Sequence, residues 1–386
     1  MTNPRRFLYG LTILLYLALL PACSDSGQPP AGPSGLKVIA YYSGDPEQAD
    51  RYAGGQLSQI IHSFLHLDGN RLTLDDARDS IALLRLHALK AEQPRLKVLL
   101  SLGGWGGCAT CSEVFAQAAG RKEFAASVEE LLVRFDLDGI DLDWEYPAIE
   151  GYPGHRYAPE DKHNFTLLVR ELRDVLGDKY VISFAAGGFD QFLEASVEWR
   201  EVMPLLDHVN LMTYDLVNGY STTTGHHTPL YSTPEQSLSV DHAIQFLDSI
   251  GVDRSKIIIG GAFYARIWEK VPPENNGLYQ SGEFQRSVDY RQLDAFFASN
   301  PGFELYWDPV AMAPYAYNAK KRLFATFDDP RSIAHKTQYV LNQNLGGIMF
   351  WELKGDLFEE GLLEVITQVK EGSYQWEASQ EKADKE

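Results

Sequence analysis

The chain has 386 residues, 45% hydrophobic and 23% charged, a globular composition too long for one ordinary domain but normal for an α/β barrel carrying an insertion. A net charge of −19 argues against nucleic acid as a partner, since neutralising phosphates needs a basic surface, and leaves an uncharged polymer admissible. The 12% aromatic content would suit stacking platforms, but aromatics also fill cores, so it decides nothing alone.

From the N-terminus, Arg5 and Arg6 precede an apolar run over 7–20 that is short for a membrane span. Leu20-Pro21-Ala22-Cys23 follows and resembles a bacterial lipobox, with Pro21 unusual in it. Residues 1–22 therefore read as a lipoprotein-type signal and Cys23 as the lipidated residue, with an uncleaved anchor as the alternative. Residues 23–36, rich in Ser, Pro and Gly, read as a flexible tether. The chain is expected at the bacterial cell envelope, outer-membrane-anchored or else secreted.

Strand-like apolar runs lie at 38–43, 60–67, 97–102, 139–145, 181–186, 208–214, 257–263 and 347–351. Helical patterns lie between them at 80–90, 112–135, 163–176, 240–250 and 332–344, and after the last strand at 357–370. Eight strands with intervening helices predict a (β/α)8 TIM barrel over 37–371; a doubly wound sheet is the competing arrangement. The connection over 265–330 is far longer than a βα unit needs and reads as a small α+β insertion between strand seven and its helix. Residues 372–386 form a polar tail.

Cys108 and Cys111 are the only cysteines besides Cys23. In an exported protein a local disulfide is the favoured reading over a redox motif or a zinc pair. His226 and His227 invite a metal reading, but no carboxylate motif accompanies them, so they read as loop residues. No metal and no cofactor is expected.

The segment Asp138-Gly139-Ile140-Asp141-Leu142-Asp143-Trp144-Glu145-Tyr146-Pro147 sets three acids at alternate positions with large apolar residues between. Period two puts Asp141, Asp143 and Glu145 on one strand face, roughly 6–7 Å apart. A solvent-facing acidic strand and a calcium loop are the alternatives, but the loop pattern wants a turn glycine where this segment has bulky residues. Buried together, the three carboxyls raise one another's pKa, and one that stays protonated near neutral pH can donate a proton.

This motif resembles the signature of the family 18 glycoside hydrolases, the chitinase family. Four further segments match in order: Ser101-Leu102-Gly103-Gly104-Trp105, Met212-Thr213-Tyr214-Asp215, Phe263-Tyr264-Ala265-Arg266 and Gly346-Gly347-Ile348-Met349-Phe350-Trp351-Glu352. The run Asp308 to Asn318 resembles the insertion of one branch of that family. The resemblance implies a chitinase that retains configuration through an oxazolinium ion. In it Glu145 is acid and then base, Asp143 and Asp141 assist, and Tyr214 holds the acetamido group. It further implies substrate contacts at Asp215, Trp351 and Arg266, with Trp105, Tyr42, Phe64 and Tyr146 lining the cleft. Ser101, Gly103 and Gly104 would support the site. The implied partner is chitin or a chitooligosaccharide, acted on by a monomer. An endo-β-N-acetylglucosaminidase acting on N-glycan or peptidoglycan-type substrates and a non-catalytic lectin are the other readings; retention of Glu145 speaks against the lectin.

Overall fold

The computed structural model describes Met1 and residues 35–52 and 56–376; the signal, Cys23 and most of the tether lie outside these, as does the tail beyond Trp376. Eight parallel strands close a barrel: β1 (Lys37–Tyr42), β2 (Gln59–Asp68), β3 (Lys97–Gly103), β4 (Gly139–Asp143), β5 (Val181–Gly187), β6 (His208–Met212), β7 (Ile257–Ala262) and β8 (Gly347–Trp351). Pairing of β1 with both β8 and β2 completes the ring and rules out the open, doubly wound sheet.

Alternation sorts the strand residues. Ile39, Tyr41, Ile61, Leu99, Val181, Ile258 and Met349 share an interior cluster, while Val38, Ala40, Ile60, Val98 and Ile348 belong to the larger core between strands and helices. Burying both faces is what gives parallel strands their near-continuous apolar runs.

Several boundaries differ from expectation for local reasons. The first helix begins at Ala77, because Asp76 caps it in a reciprocal box with Asp79. The stretch 112–135 is two helices, Cys111–Ala116 and Ala118–Phe135, broken at extended Gln117. Where they meet, a Cβ on Gly120 would lie 2.2 Å from the Val114 carbonyl. The last helix starts only at Leu362, since Asp356 accepts from the amides of Leu362 and Leu363 at 2.8 Å. Short helices at Asp190–Ala195 and Trp199–Val202 carry too little periodicity to be read from sequence.

Between β7 and the helix Pro330–Gln343 lies a five-stranded antiparallel sheet. Its spatial order is Glu283–Asp289, Tyr264–Glu269, Leu323–Thr326, Ala313–Asn318 and Glu304–Asp308, with the helix Tyr290–Ser299 inserted in the chain. Ala265, Ile267, Val288, Leu293 and Phe327 pack together, and Trp268, Val271, Tyr315 and Phe324 form a second cluster.

Candidate active site

The C-terminal mouth of the barrel converges on the acids of β4. Asp141 is fully buried and accepts four hydrogen bonds: from Tyr41 (2.9 Å), Ser101 (3.3 Å), Ser183 (2.6 Å) and the Asn210 amide (3.0 Å). Burial raises its pKa and these donors oppose the rise. Asp143, one layer nearer the mouth, is pushed well above the carboxylate range by burial and then by the charges of Glu145 and Asp141. Its Oδ1 is buried without a hydrogen-bond partner among the described residues.

The ladder of β4 ends at Asp143, whose carbonyl accepts from the Gly104 amide at 2.9 Å. Alternation nevertheless continues past the strand. Trp144 turns outward against Phe115 and Phe165, and Glu145 turns inward, 9% exposed. Burial raises Glu145 to about 7; a hydrogen bond with Tyr146 opposes this, and the charge of Asp215 adds to it. Near neutral pH this carboxyl can therefore give a proton in one step and take one in the next.

Asp215 lies beyond β6 with φ of +55°. Its carboxylate accepts from the Tyr264 hydroxyl (2.7 Å), from Arg266 Nε (2.6 Å) and also from Arg266 Nη2, and buried His227 stands 3.6 Å away. Burial alone would raise its pKa, but His227 and Arg266 outweigh that and hold it well below the carboxylate range. Tyr214 is buried beside it, its hydroxyl near the Met349 sulfur.

Trp351 closes the floor. It stacks on Phe64 with ring centroids 5.4 Å apart and meets Tyr41 at 5.9 Å. Gly103 and Gly104 have positive φ; a Cβ on Gly103 would lie 2.2 Å from the Asp143 carbonyl and one on Gly104 2.3 Å from the Phe64 ring. Trp105, 47% exposed, heads an aromatic rim with Tyr146, Tyr152 and Tyr220. Three non-proline peptide bonds are cis, Ser63–Phe64, Glu145–Tyr146 and Trp351–Glu352, all at this mouth.

One assignment is corrected. Tyr42 does not line the cleft: it is 1% exposed, packs outward on Tyr52 and donates to the Asp45 carbonyl at 2.6 Å. The inward tyrosine of β1 is its neighbour Tyr41. Sequence reasoning also missed Ser183, Asn210 and Tyr264, each a polar residue whose partner lies far along the chain, and read His227 as a loop residue only, without its contact to Asp215. Arg266 is committed to Asp215, and its side chain is only 18% exposed. Cys108 and Cys111 are joined in a disulfide. His226 is buried against Asp308 at 3.0 Å, and no cluster able to hold a metal occurs among the described residues.

A closed (β/α)8 barrel with a buried column of acids at its C-terminal mouth, bordered by aromatic faces, is the frame of a glycoside hydrolase. The family model described as glycosyl hydrolases family 18 matches residues 37–356, and the chain belongs to that family. It is 36% identical to chitinase A1 of Niallia circulans over 70% of this chain and 42% of that protein. It is 30% identical to chitinase B of Serratia marcescens over 78% of this chain and 73% of that one. The chain thus spans less than half of the first relative's length and about three quarters of the second's. Among solved structures, a family 18 N-acetylglucosaminidase from Paenibacillus barengoltzii matches 86% of this chain and 99% of its own, at 36% identity and a TM-score of 0.78. A chitinase from Bacillus thuringiensis matches 88% of this chain and 70% of its own, at 28% identity and a TM-score of 0.82.

Proposed function

We propose that the chain is a chitinase that cuts β-1,4 linkages between N-acetylglucosamine units with retention of configuration. The observation that carries this is Glu145, buried at the end of the acid column with its carboxyl raised to about 7. Of the carboxyls around Glu145, Asp215 is held by Arg266 and Tyr264, and Asp143 is pushed well above the carboxylate range by burial and by the charges of Glu145 and Asp141, so both are poor nucleophiles. A retaining reaction then needs its nucleophile from the substrate, the course for which family 18 is an exception among glycosidases.

In the first step the substrate's acetamido oxygen bonds to the anomeric carbon while Glu145 passes its proton to the leaving glycosidic oxygen, giving an oxazolinium ion and a Glu145 carboxylate. In the second, that carboxylate takes a proton from water as the water oxygen bonds to the anomeric carbon and the ring opens. Asp143 accepts from the acetamido N–H, sharing a proton with Asp141, and the Tyr214 hydroxyl donates to the acetamido carbonyl. Asp215 contacts sugar hydroxyls, Trp351 and Phe64 carry the distorted sugar, and Trp105 and Tyr146 stack with neighbouring units. Arg266 acts by positioning Asp215.

The test is hydrolysis of the N-acetylglucosamine tetramer by wild type and Glu145→Gln, resolving product sizes and anomers. Dimers with the β-anomer first, from wild type alone, are expected; equal cleavage by the variant overturns the acid assignment. The Paenibacillus barengoltzii enzyme, matched over 99% of its chain, favours a second reading in which single N-acetylglucosamine units are released. Monomer and trimer as first products would select it. Neither binding nor cleavage would turn attention to N-glycan or peptidoglycan-type substrates.

The N-terminal sequence supports export, with lipid on Cys23 after removal of residues 1–22. Cys23→Ala should release the protein from the membrane fraction; retention there would argue for an uncleaved anchor.

A further inference from the structure

The opposite, N-terminal mouth of the barrel has no part in the chemistry above, yet its inner layer is strongly polar. Two residues before Ile39, Ile61 and Leu99, all on interior positions, lie Lys37, Gln59 and the exposed Lys97, and Lys256 ends the short 3-10 turn that leads into β7. Stepping back two from Asn210, which bonds Tyr41 and Asp141 inside the barrel, reaches His208. Ladder register sets Gln59 beside Lys97 and His208 beside Ser183. Three lysines, a glutamine and a histidine thus share one end of the barrel axis.

These groups are poorly satisfied. His208 is fully buried, and among the described residues neither ring nitrogen has a hydrogen-bond partner; the Gln59 Oε1 is buried without one as well. A buried imidazole with both nitrogens unpaired is a costly feature in a protein interior. Among the described residues none of the three lysines forms an ion pair with a carboxylate. Lys256 donates only to the carbonyls of Met203 (2.9 Å) and Leu206 (2.6 Å). The one acid acting on both Lys37 and His208 is Asp207, and its carboxylate is taken by Arg173 (2.8 Å) and the Ile182 amide (2.9 Å). Burial, then the charge of Lys37, depresses His208 to about 3, so the ring is neutral, with one donor and one acceptor nitrogen. Against a chain charge of −19, this is a local pocket of positive charge.

We propose that this layer is a binding site for a protonated oxyanion of the phosphate class, as free hydrogen phosphate. Lys37 and Lys97 supply the charge, the His208 N–H donates to a phosphate oxygen, and the free His208 nitrogen and Gln59 Oε1 share the single phosphate O–H in a three-centre bond. Half-buried Lys37, on a flexible stem, is the side chain that moves to admit the ion. The acceptors on the interior side distinguish hydrogen phosphate from sulfate, which carries no proton to donate at neutral pH.

The test is thermal denaturation of the full chain in phosphate, sulfate and chloride at equal ionic strength. Phosphate should raise the Tm saturably by about 2–5 °C, sulfate less and chloride not at all. The imidazole ¹⁵N signals of His208 should shift with phosphate on the same saturation curve. The double variant Lys37→Gln/Lys97→Gln should lose both responses while keeping wild-type oligosaccharide turnover. Equal shifts with all three anions, or a phosphate response that survives in the double variant, would overturn the site. Sedimentation with phosphatidylglycerol vesicles, but not phosphatidylcholine, and no response to free phosphate would overturn hydrogen phosphate in favour of a lipid headgroup. The thermal, ¹⁵N and vesicle readouts do not depend on the proposed hydrolysis, so the site and the activity fail separately.

Discussion

The hydroxyl of Tyr41 donates to Asp141 at 2.9 Å, tying the first barrel strand to the innermost acid of the fourth. With Ser101, Ser183 and Asn210 it makes Asp141 a junction of strands from around the barrel. Tyr41→Phe keeps the ring against Trp351 and removes one donor. A hydrogen bond to a charged group contributes about 1.5–3 kcal/mol, so kcat should fall about tenfold or more with little change in KM. Unchanged kcat would show that the Tyr41–Asp141 hydrogen bond has no bearing on turnover.

Glu145 titrates near 7 when folded, against an ordinary 4.5. The rate should therefore fall as pH rises through about 7 and the acid form is lost. Because the charge of Asp215 helps raise Glu145, Asp215→Asn should move that alkaline limb to lower pH. A limb that stays in place would mean another group sets it.

The same shift bears on stability. The folded protein keeps the Glu145 proton where the unfolded chain has released it. This contribution is full below about 4.5 and lost as pH rises through about 7. Glu145→Gln cannot ionise, so at pH 8 it should be more stable than wild type by about 2–4 kcal/mol, with the gap closing by pH 4. Equal melting curves at both pH values would contradict the buried, raised carboxyl.

Arg266 holds Asp215 through two nitrogens. Arg266→Met leaves the partly buried carboxylate, its side chain 34% exposed, short of its main counter-charge and should cost about 1–2 kcal/mol of stability, less than for a fully buried pair, along with substrate affinity. Arg266→Lys should regain little, because a single ammonium cannot reproduce the fork. Full rescue by lysine would reduce the contact to simple charge.

Gly104→Ala places a methyl against Phe64 at a positive φ. Displacing Phe64 unstacks Trp351, so the variant should lose about 1–3 kcal/mol and bind oligosaccharide more weakly, read by calorimetry and Trp fluorescence. Normal affinity would remove the Phe64–Trp351 pair from the sugar site.

The barrel and its acid column were legible because alternation is a local signal: Asp141, Asp143 and Glu145 announce their shared face within five residues. Tyr41 and Tyr42 were not separable in this way, since adjacent tyrosines satisfy either phase and only pairing with β2 and β8 decides which points inward. Asn210 and Ser183 are single polar residues in apolar strands, a pattern with many meanings until the partner is known. His227 meets Asp215 only because the loop after β6 folds back, a tertiary event with no sequence period. The split at Gln117 depends in the same way on how closely two helices approach at Gly120.

The polypeptide enters the barrel at Lys37, at the end opposite Glu145. The two ends of the cylinder are therefore separate surfaces, the foot carrying Lys37 and the head carrying the acids. Six residues of tilted strand separate the two ends, a span of at most about 16 Å along the strand. A change made at the foot reaches the acids only through the packed interior layer of the barrel, so that end can be altered without touching the cleft.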